Sequence, residues 1–188
     1  MNIHYQIEFF TDWHCGSGLS SGADLDLLVI KDKDRLPFVP GKTMKGLIRE
    51  AVEEISGFSK SEIDLTEIFG VEANSANSIE TKQGCCFFTN AELKDELKNA
   101  IKSYLYQEYL YHSIASTSID EKGIADDKSL RKIEVCVPCK LYGQILDVPD
   151  EPSKEIIIKG LKFIKRLGQN RNRGLGRCSI SIINGGEA

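Results

Sequence analysis

Six apolar residues, Met44, Leu47, Ile48, Ala51, Val52 and Ile55, recur at alternating intervals of three and one. That spacing puts all six on one stripe of an α-helix, and the stripe must be buried against another layer. The ends of the chain follow a different period. Residues Ile3 to Thr11 alternate apolar and polar side chains, and "CSISII" at 178–183 has the same β character. Both read as half-buried strands. A second amphipathic stretch, "SKEIIIKGLKFIKRLG", follows Pro149 and Pro152, with Ser153 as its expected N-cap. Two helices of this length packed on antiparallel strands predict an α+β sandwich of the ferredoxin-like (RRM-like) type.

The connections fill in the order. "HCGSGLSSGAD" is a Gly/Ser-rich loop, "LDLLVIKD" reads as a second strand, and "RLPFVP" returns it as a hairpin across the polar turn "KDKD". The first helix is expected to start near Lys42 or Thr43 and to close at Gly57. Residues 60–68 suggest a further helical turn, inside an insertion over about 59–83 whose polar stretch "VEANSANSIETKQG" reads as flexible. "CCFFTNAEL" reads as a strand. The fold of residues 93–111 stays open, because the aromatic side chains at 104, 106, 109 and 111 fit neither period. A long hairpin with a projecting polar tip is expected over about 112–146. The whole chain, 1–188, is then one domain with its core in about 1–58, 84–92 and 152–186.

A hydrophobic fraction of 41% and a charged fraction of 28% are enough to build a core without staples. No apolar run approaches the roughly 18 residues of a membrane span, and the N-terminus lacks a basic flank, so cytoplasmic residence is the expectation. The six cysteines are then expected to be reduced. "CVPC" at 136–139 has metal-like spacing, but no second pair matches it and the three histidines are scattered, so no structural zinc is expected.

Charge is unevenly spread. Lys154 to Arg177 holds eight basic residues and one acid, a charge of +7, while the whole chain is −4, which leaves −11 for the rest. Such asymmetry predicts a local polyanion site on an acidic body. "GQNRNRGLGR" is its sharpest part. The glycines Gly174 and Gly176 let backbone approach a ligand, the forks of Arg171, Arg173 and Arg177 match phosphate oxygens, and Asn172 offers amide hydrogen bonds.

"PFVPGKTMKG" contains Gly41-Lys42-Thr43, the tail of a nucleotide-binding loop. The first glycine of that motif would fall at Leu36, and the interior is Pro-Phe-Val-Pro, so no nucleotide cofactor is expected. What survives is a helix start, where unpaired amides favour anions, with Lys42, Lys45 and Arg49 spaced to share one face.

These stretches, taken in order ("HCGSG", "LPFVPGKTMKGLIREAVE", "EIFG", "CCFFTNAEL" and "GQNRNRGLGR"), resemble the RAMP superfamily of CRISPR systems over almost the whole chain. A narrower resemblance lies in "STSIDEKGIADDKSLRKIEVCVP", which is similar to the thumb of the backbone subunit of type III interference complexes. The resemblance implies several copies stacked on one guide RNA, alongside other effector subunits and a complementary target RNA. Thumb residues Ile119, Lys122 and Arg131 would press between bases. The loop with His14 and Ser17 would lie against the guide.

The same resemblance implies target-RNA cutting within the assembled complex. Aligned to the family's pattern, "GADLDLLVIKD" places Asp26 at the catalytic aspartate, with Asp24 in reserve. Leu27-Leu28 depart from the small residue and proline that the family carries there. One carboxylate near a ribose 2′-hydroxyl would orient the sugar or weakly hold a divalent cation, Mg or Mn. Two other readings stay open. One is a guide-RNA processing endoribonuclease with His14 as general acid or base; the other is an architectural RAMP subunit that cuts nothing.

Overall fold

Ile3–Phe9 forms strand β1, and its alternation is obeyed side chain by side chain: Ile3, Tyr5, Ile7 and Phe9 are buried, the residues between them half-exposed. This computed structural model describes residues 1–19, 25–58, 65–71 and 82–184. After β1 come helix α1 (Gly41–Phe58), the short α2 (Leu65–Phe69), β2 (Phe87–Phe88), α3 (Asp95–Ser103), β3 (Tyr111–Ser116), β4 (Arg131–Cys136), β5 (Lys140–Leu146), α4 (Glu151–Phe163) and β6 (Cys178–Ile183).

Four strands make the core sheet in the order β2-β5-β1-β6, with every neighbour antiparallel. With α1 between β1 and β2, and α4 between β5 and β6, this is the ferredoxin-like arrangement. The two helices pack on each other. Gly160 of α4 sits where a Cβ would come within 2.7 Å of the Val52 side chain on α1, so the crossing is close. Within the sheet Gly143 faces Tyr5 in register, and the tyrosine ring fills the space a side chain there would need.

A separate two-stranded sheet pairs β3 with β4 and carries the tip, 117–130, away from the core. The hairpin is shorter than expected. Its distal part is β5, whose Leu141 and Ile145 are fully buried beside β1 in the core sheet. The open region 93–111 resolves into α3, a 3₁₀ turn at Gln107–Leu110 and the start of β3.

Several local expectations change. "LDLLVIKD" and "RLPFVP" meet only next to the polar turn, where Lys31 bridges Pro37 and the Asp32 N–H donates to the Leu36 carbonyl at 2.9 Å. The rest of the segment forms no ladder with it, because Leu27 bridges Ile133 of β4 and Val29 bridges Gly16 of the loop after β1. Helix α1 runs through Gly57 to Phe58. It begins at Gly41, whose N–H donates to Asn90 Oδ1 at 3.0 Å and whose missing Cβ leaves room for the Phe88 carbonyl. The cap of α4 is Asp150, not Ser153: Asp150 Oδ1 accepts the Ser153 N–H at 2.8 Å, and Ser153 is buried one turn inside. The "CCFFTNAEL" stretch contributes only Phe87–Phe88 to the ladder. Of the expected insertion, α2 is helical, while 59–64 and 72–81 lie outside the described residues. Among the described residues, no helix is long and apolar enough to cross a membrane.

Candidate nucleic-acid interface

The Gly-rich loop after α4 is built on backbone conformations that favour glycine. Gly168, Gly174 and Gly176 all have positive φ, as does Asn170. At Gly168 a Cβ would strike the His14 carbonyl, and at Gly176 it would strike the Leu167 carbonyl. The loop is sewn to the chain after β1: Gln169 N–H donates to the His14 carbonyl at 2.9 Å and Gly176 N–H to that of Asp12 at 2.8 Å. Leu167 N–H closes the loop onto the Gly176 carbonyl at 2.9 Å. Buried Ile164 and Leu167 anchor it, and Lys165, Arg166, Arg171, Asn172, Arg173 and Arg177 point to solvent. No acidic side chain pairs with any of those arginines among the described residues. The guanidiniums of Arg171, Arg173 and Arg177 around open backbone at Gly174 make a site suited to phosphate oxygens, while Arg166 Nη1 donates to the Arg171 carbonyl at 3.0 Å and braces the loop.

The loop after β1 carries the second part. Cys15 reaches the side chain of Thr43 at the start of α1. Burial pushes its thiol up, and Thr43 and the nearby Lys42 partly offset that. The "HCGSG" loop therefore brings the Gly-rich loop and the N-terminal turn of α1 together. Ser17 is engaged within the loop, its hydroxyl donating to the Leu28 carbonyl and accepting the Leu19 N–H, both at 3.1 Å. Lys42 is exposed and Lys45 half-buried. Arg49 departs from the expected basic face: its guanidinium donates to the Phe69 and Gly70 carbonyls, both at 2.7 Å, and lies over the Phe69 ring. It ties α2 to α1.

His14 is placed differently from the expected contact with RNA. The ring is fully buried beneath the Gly-rich loop. Nδ1–H donates to the Glu134 carbonyl at 2.6 Å, and Nε2 has no partner among the described residues. A ring with no exposed surface touches no nucleic acid in this arrangement. Trp13 is likewise interior, stacked on Phe9 at 4.4 Å. By contrast Tyr104, Tyr106 and Tyr109 are exposed, with Tyr104 stacked on Tyr106 and Tyr109 meeting Tyr106 edge-on.

Asp26 stands at the root of the hairpin. Its N–H donates to the Lys132 carbonyl at 2.8 Å, and its Oδ2 accepts the Lys132 N–H at 2.7 Å. The carboxylate is exposed, and Oδ1 has no partner among the described residues. The segment bearing it is fixed by Glu134, whose carboxylate accepts the Val29 N–H at 3.0 Å and the Lys31 ammonium at 2.7 Å. Lys31 also sits 4.0 Å above the Tyr111 ring. Asp24 lies outside the described residues. Among the described residues no group of three or more His, Cys, Asp or Glu side chains converges on a metal-sized space. At the hairpin tip Asp120 Oδ1 accepts from Lys122 and Ile124 N–H, and Gly123 turns the chain with positive φ. Ile119, Ile124 and Leu130 are exposed there, as are Lys122 and Arg131.

The Glu134–Lys31 tie escaped sequence reasoning, since its partners are 103 residues apart. The one signal available was a glutamate among apolar residues in "KIEVCV".

A sequence profile described as the RAMP superfamily matches residues 6–179. No curated protein sequence matches the chain. Among solved structures, a chain of the type III-B Cmr-β complex bound to cognate target RNA is similar, at 12% identity and a TM-score of 0.69, with 97% of each chain covered. A chain of the type III-B Cmr-β complex in its apo state is similar at 12% identity and a TM-score of 0.71, with 98% of each covered. At that identity the likeness is one of fold.

Proposed function

The chain belongs to the RAMP superfamily, and on that premise we propose that it is a guide-RNA-binding backbone subunit of a type III CRISPR effector complex in antiviral defence. The observation that carries the reading is the meeting of three elements: the arginine-bearing Gly-rich loop, the loop after β1 and the lysine-bearing start of α1. The Cmr-β chains of the same fold support it, one of them from a complex with target RNA bound. Arg171, Arg173 and Arg177, with Lys42 and Lys45, neutralise guide phosphates without reading sequence. The exposed apolar tip around Ile119 wedges between bases, and further copies of the chain repeat the contact along the guide.

Asp26 cuts the complementary target RNA at intervals set by that repeat. Its free Oδ1 orients or deprotonates a ribose 2′-hydroxyl. The 2′-oxygen bonds to the adjacent phosphorus, the bond from phosphorus to the 5′-oxygen breaks, and the leaving oxygen takes up a proton. A single carboxylate fits a divalent cation held mostly by water and phosphate, and such a cation would stabilise charge on the phosphoryl oxygens.

The test of RNA binding is a titration of labelled single-stranded RNA, and of duplex DNA of equal length, across a salt series. RNA is expected to bind with a steep salt slope. Arg171→Ala with Arg173→Ala should weaken binding and reduce the slope by roughly two. No RNA binding at low salt would overturn the reading.

A further inference from the structure

In an extended strand adjacent side chains point to opposite faces. Cys85 and Cys86 break that rule, because a bend at Cys85 precedes β2 and brings their sulfurs to 3.8 Å on one side of the chain. The bend is held at both ends. Cys85 N–H donates to the Glu67 carbonyl of α2 at 2.8 Å, and at Gly84 a Cβ would strike the Ile68 carbonyl. On the other side Phe87 and Phe88 pair with Leu146 and Ile145 of β5, and the Cys86 thiol donates to the carbonyl of Asp147 at 3.8 Å. Cys86 is buried and Cys85 is exposed, so the pair has one sulfur anchored in the fold and one open to solvent.

We propose that Cys85 and Cys86 chelate one thiophilic divalent cation, Zn²⁺ or its softer analogue Cd²⁺. Two thiolates bound to a tetrahedral ion at about 2.3 Å stand about 3.8 Å from each other. A linear ion with the same bonds would need about 4.6 Å, and a disulfide about 2.0 Å. The observed separation of 3.8 Å is therefore the bite of a tetrahedral centre. Paired sulfur ligands select such ions over Mg²⁺ or Ca²⁺. Binding joins two thiols to one divalent ion, forms two metal–sulfur bonds and releases two protons, with no change of oxidation state.

The surroundings define what kind of site this is. Among the described residues no third His, Cys, Asp or Glu side chain converges on the pair, so water fills the remaining positions and the ion is exchangeable, unlike a closed structural zinc. The exposed carboxylate of Asp147 is near enough to act on the Cys86 thiol and adds negative potential. The amino terminus is also close, but it donates to the Val148 carbonyl at 2.7 Å. Burial, and then the neighbouring Cys85, push the Cys86 thiol up, so the ion competes with protons and binds more tightly as pH rises. The pair lies by β2, at the opposite edge of the core sheet from β6 and the basic loop that precedes it. The site is thus independent of RNA binding.

The test is a titration of the reduced, metal-free full chain with Cd²⁺, read by the ultraviolet thiolate-to-cadmium charge-transfer band, by proton release in weak buffer and by native mass. Cys85→Ser, at an exposed position, should bind one ion fewer than the native chain and release two protons fewer. Cys86→Ser should show the same loss. Zn²⁺ should displace the ion that these variants fail to hold. Counting ions by difference keeps the result independent of any uptake by Cys136 and Cys139. Equal uptake by the native chain and Cys85→Ser would overturn the proposal, as would a native chain that binds no cadmium. Cys85→Ser decides the point even if Cys86→Ser, with its buried side chain, fails to fold.

Discussion

The imidazole of His14 donates from Nδ1 to the main-chain carbonyl of Glu134 at 2.6 Å, and the bond spans 120 residues. On one side of this contact lies β4, the inner strand of the hairpin. On the other lies the Gly-rich loop, whose Gln169 N–H binds the carbonyl of His14 itself. One buried residue thus fixes the hairpin and the basic loop relative to each other. His14→Ala leaves the Glu134 carbonyl without its donor and should cost about 1–3 kcal/mol, read from urea denaturation. His14→Asn, which can still donate, should recover part of that. An Ala variant of unchanged stability that had lost an RNA-processing activity would restore the general acid–base reading of His14.

Gly168 and Gly174 share a positive φ but not the same neighbours. At Gly168 a Cβ meets the His14 carbonyl, whereas nothing lies within 4 Å of one at Gly174. Gly174→Ala should therefore cost only backbone strain, about 1–2 kcal/mol. Gly168→Ala should cost more, and should weaken RNA binding because the loop lifts from its seat. Paired measurements of melting temperature and RNA affinity on both variants check this. Equal effects of the two substitutions would mean that the loop is not seated on His14.

Helix α4 carries the Gly-rich loop at its end and is capped at its start by Asp150. The hydrogen bond from Ser153 lowers the Asp150 carboxyl below its ordinary value of 3.8. A carboxyl depressed in the folded state stabilises the fold above its unfolded pKa, and the contribution disappears as pH falls through the folded one. The melting-temperature gap between the native chain and Asp150→Ala should thus be full at pH 7 and shrink below pH 3.8. Asp150→Asn caps without titrating and should show no such convergence. A gap constant across that range would remove the charge from the cap.

How much was legible follows from the range over which each signal acts. Periodicity is local, so β1, α1, α4 and β6 could be read directly, and with them the ferredoxin-like core. The glycines of the basic loop stand out in the sequence as points of close backbone approach, but that Gly168 and Gly176 approach the His14 and Leu167 carbonyls with positive φ is a matter of tertiary packing. Arg49 could not be read. Its spacing from Lys42 and Lys45 is helical, but its partners are carbonyls 20 and 21 residues away at the end of α2. His14 escaped as well: its position in a Gly-rich loop suggested access, and only the tertiary packing of the second loop on top of it removed that access. The "LDLLVIKD" segment has strand composition, yet Asp26 and Glu134 bind it to the hairpin by side chains, which period-two reasoning does not register.

That segment carries the most consequential prediction. Asp26 Oδ2 is taken by the Lys132 N–H, so the carboxylate is oriented from the hairpin root, and Oδ1 has no partner among the described residues. Asp26→Asn keeps an acceptor for Lys132 and keeps the shape of the side chain, but removes the charge. In an assembled complex it should abolish target cutting, by about 100-fold or more for a lost general base, while guide and target affinity stay within about twofold of the unsubstituted chain. Asp26→Ala also loses the Lys132 contact, and should additionally loosen the segment, visible as faster amide exchange at Lys132. Cutting by Asp26→Asn at the native rate, in a complex that binds target normally, would leave an RNA-binding subunit with no chemistry of its own, and the architectural reading would take its place.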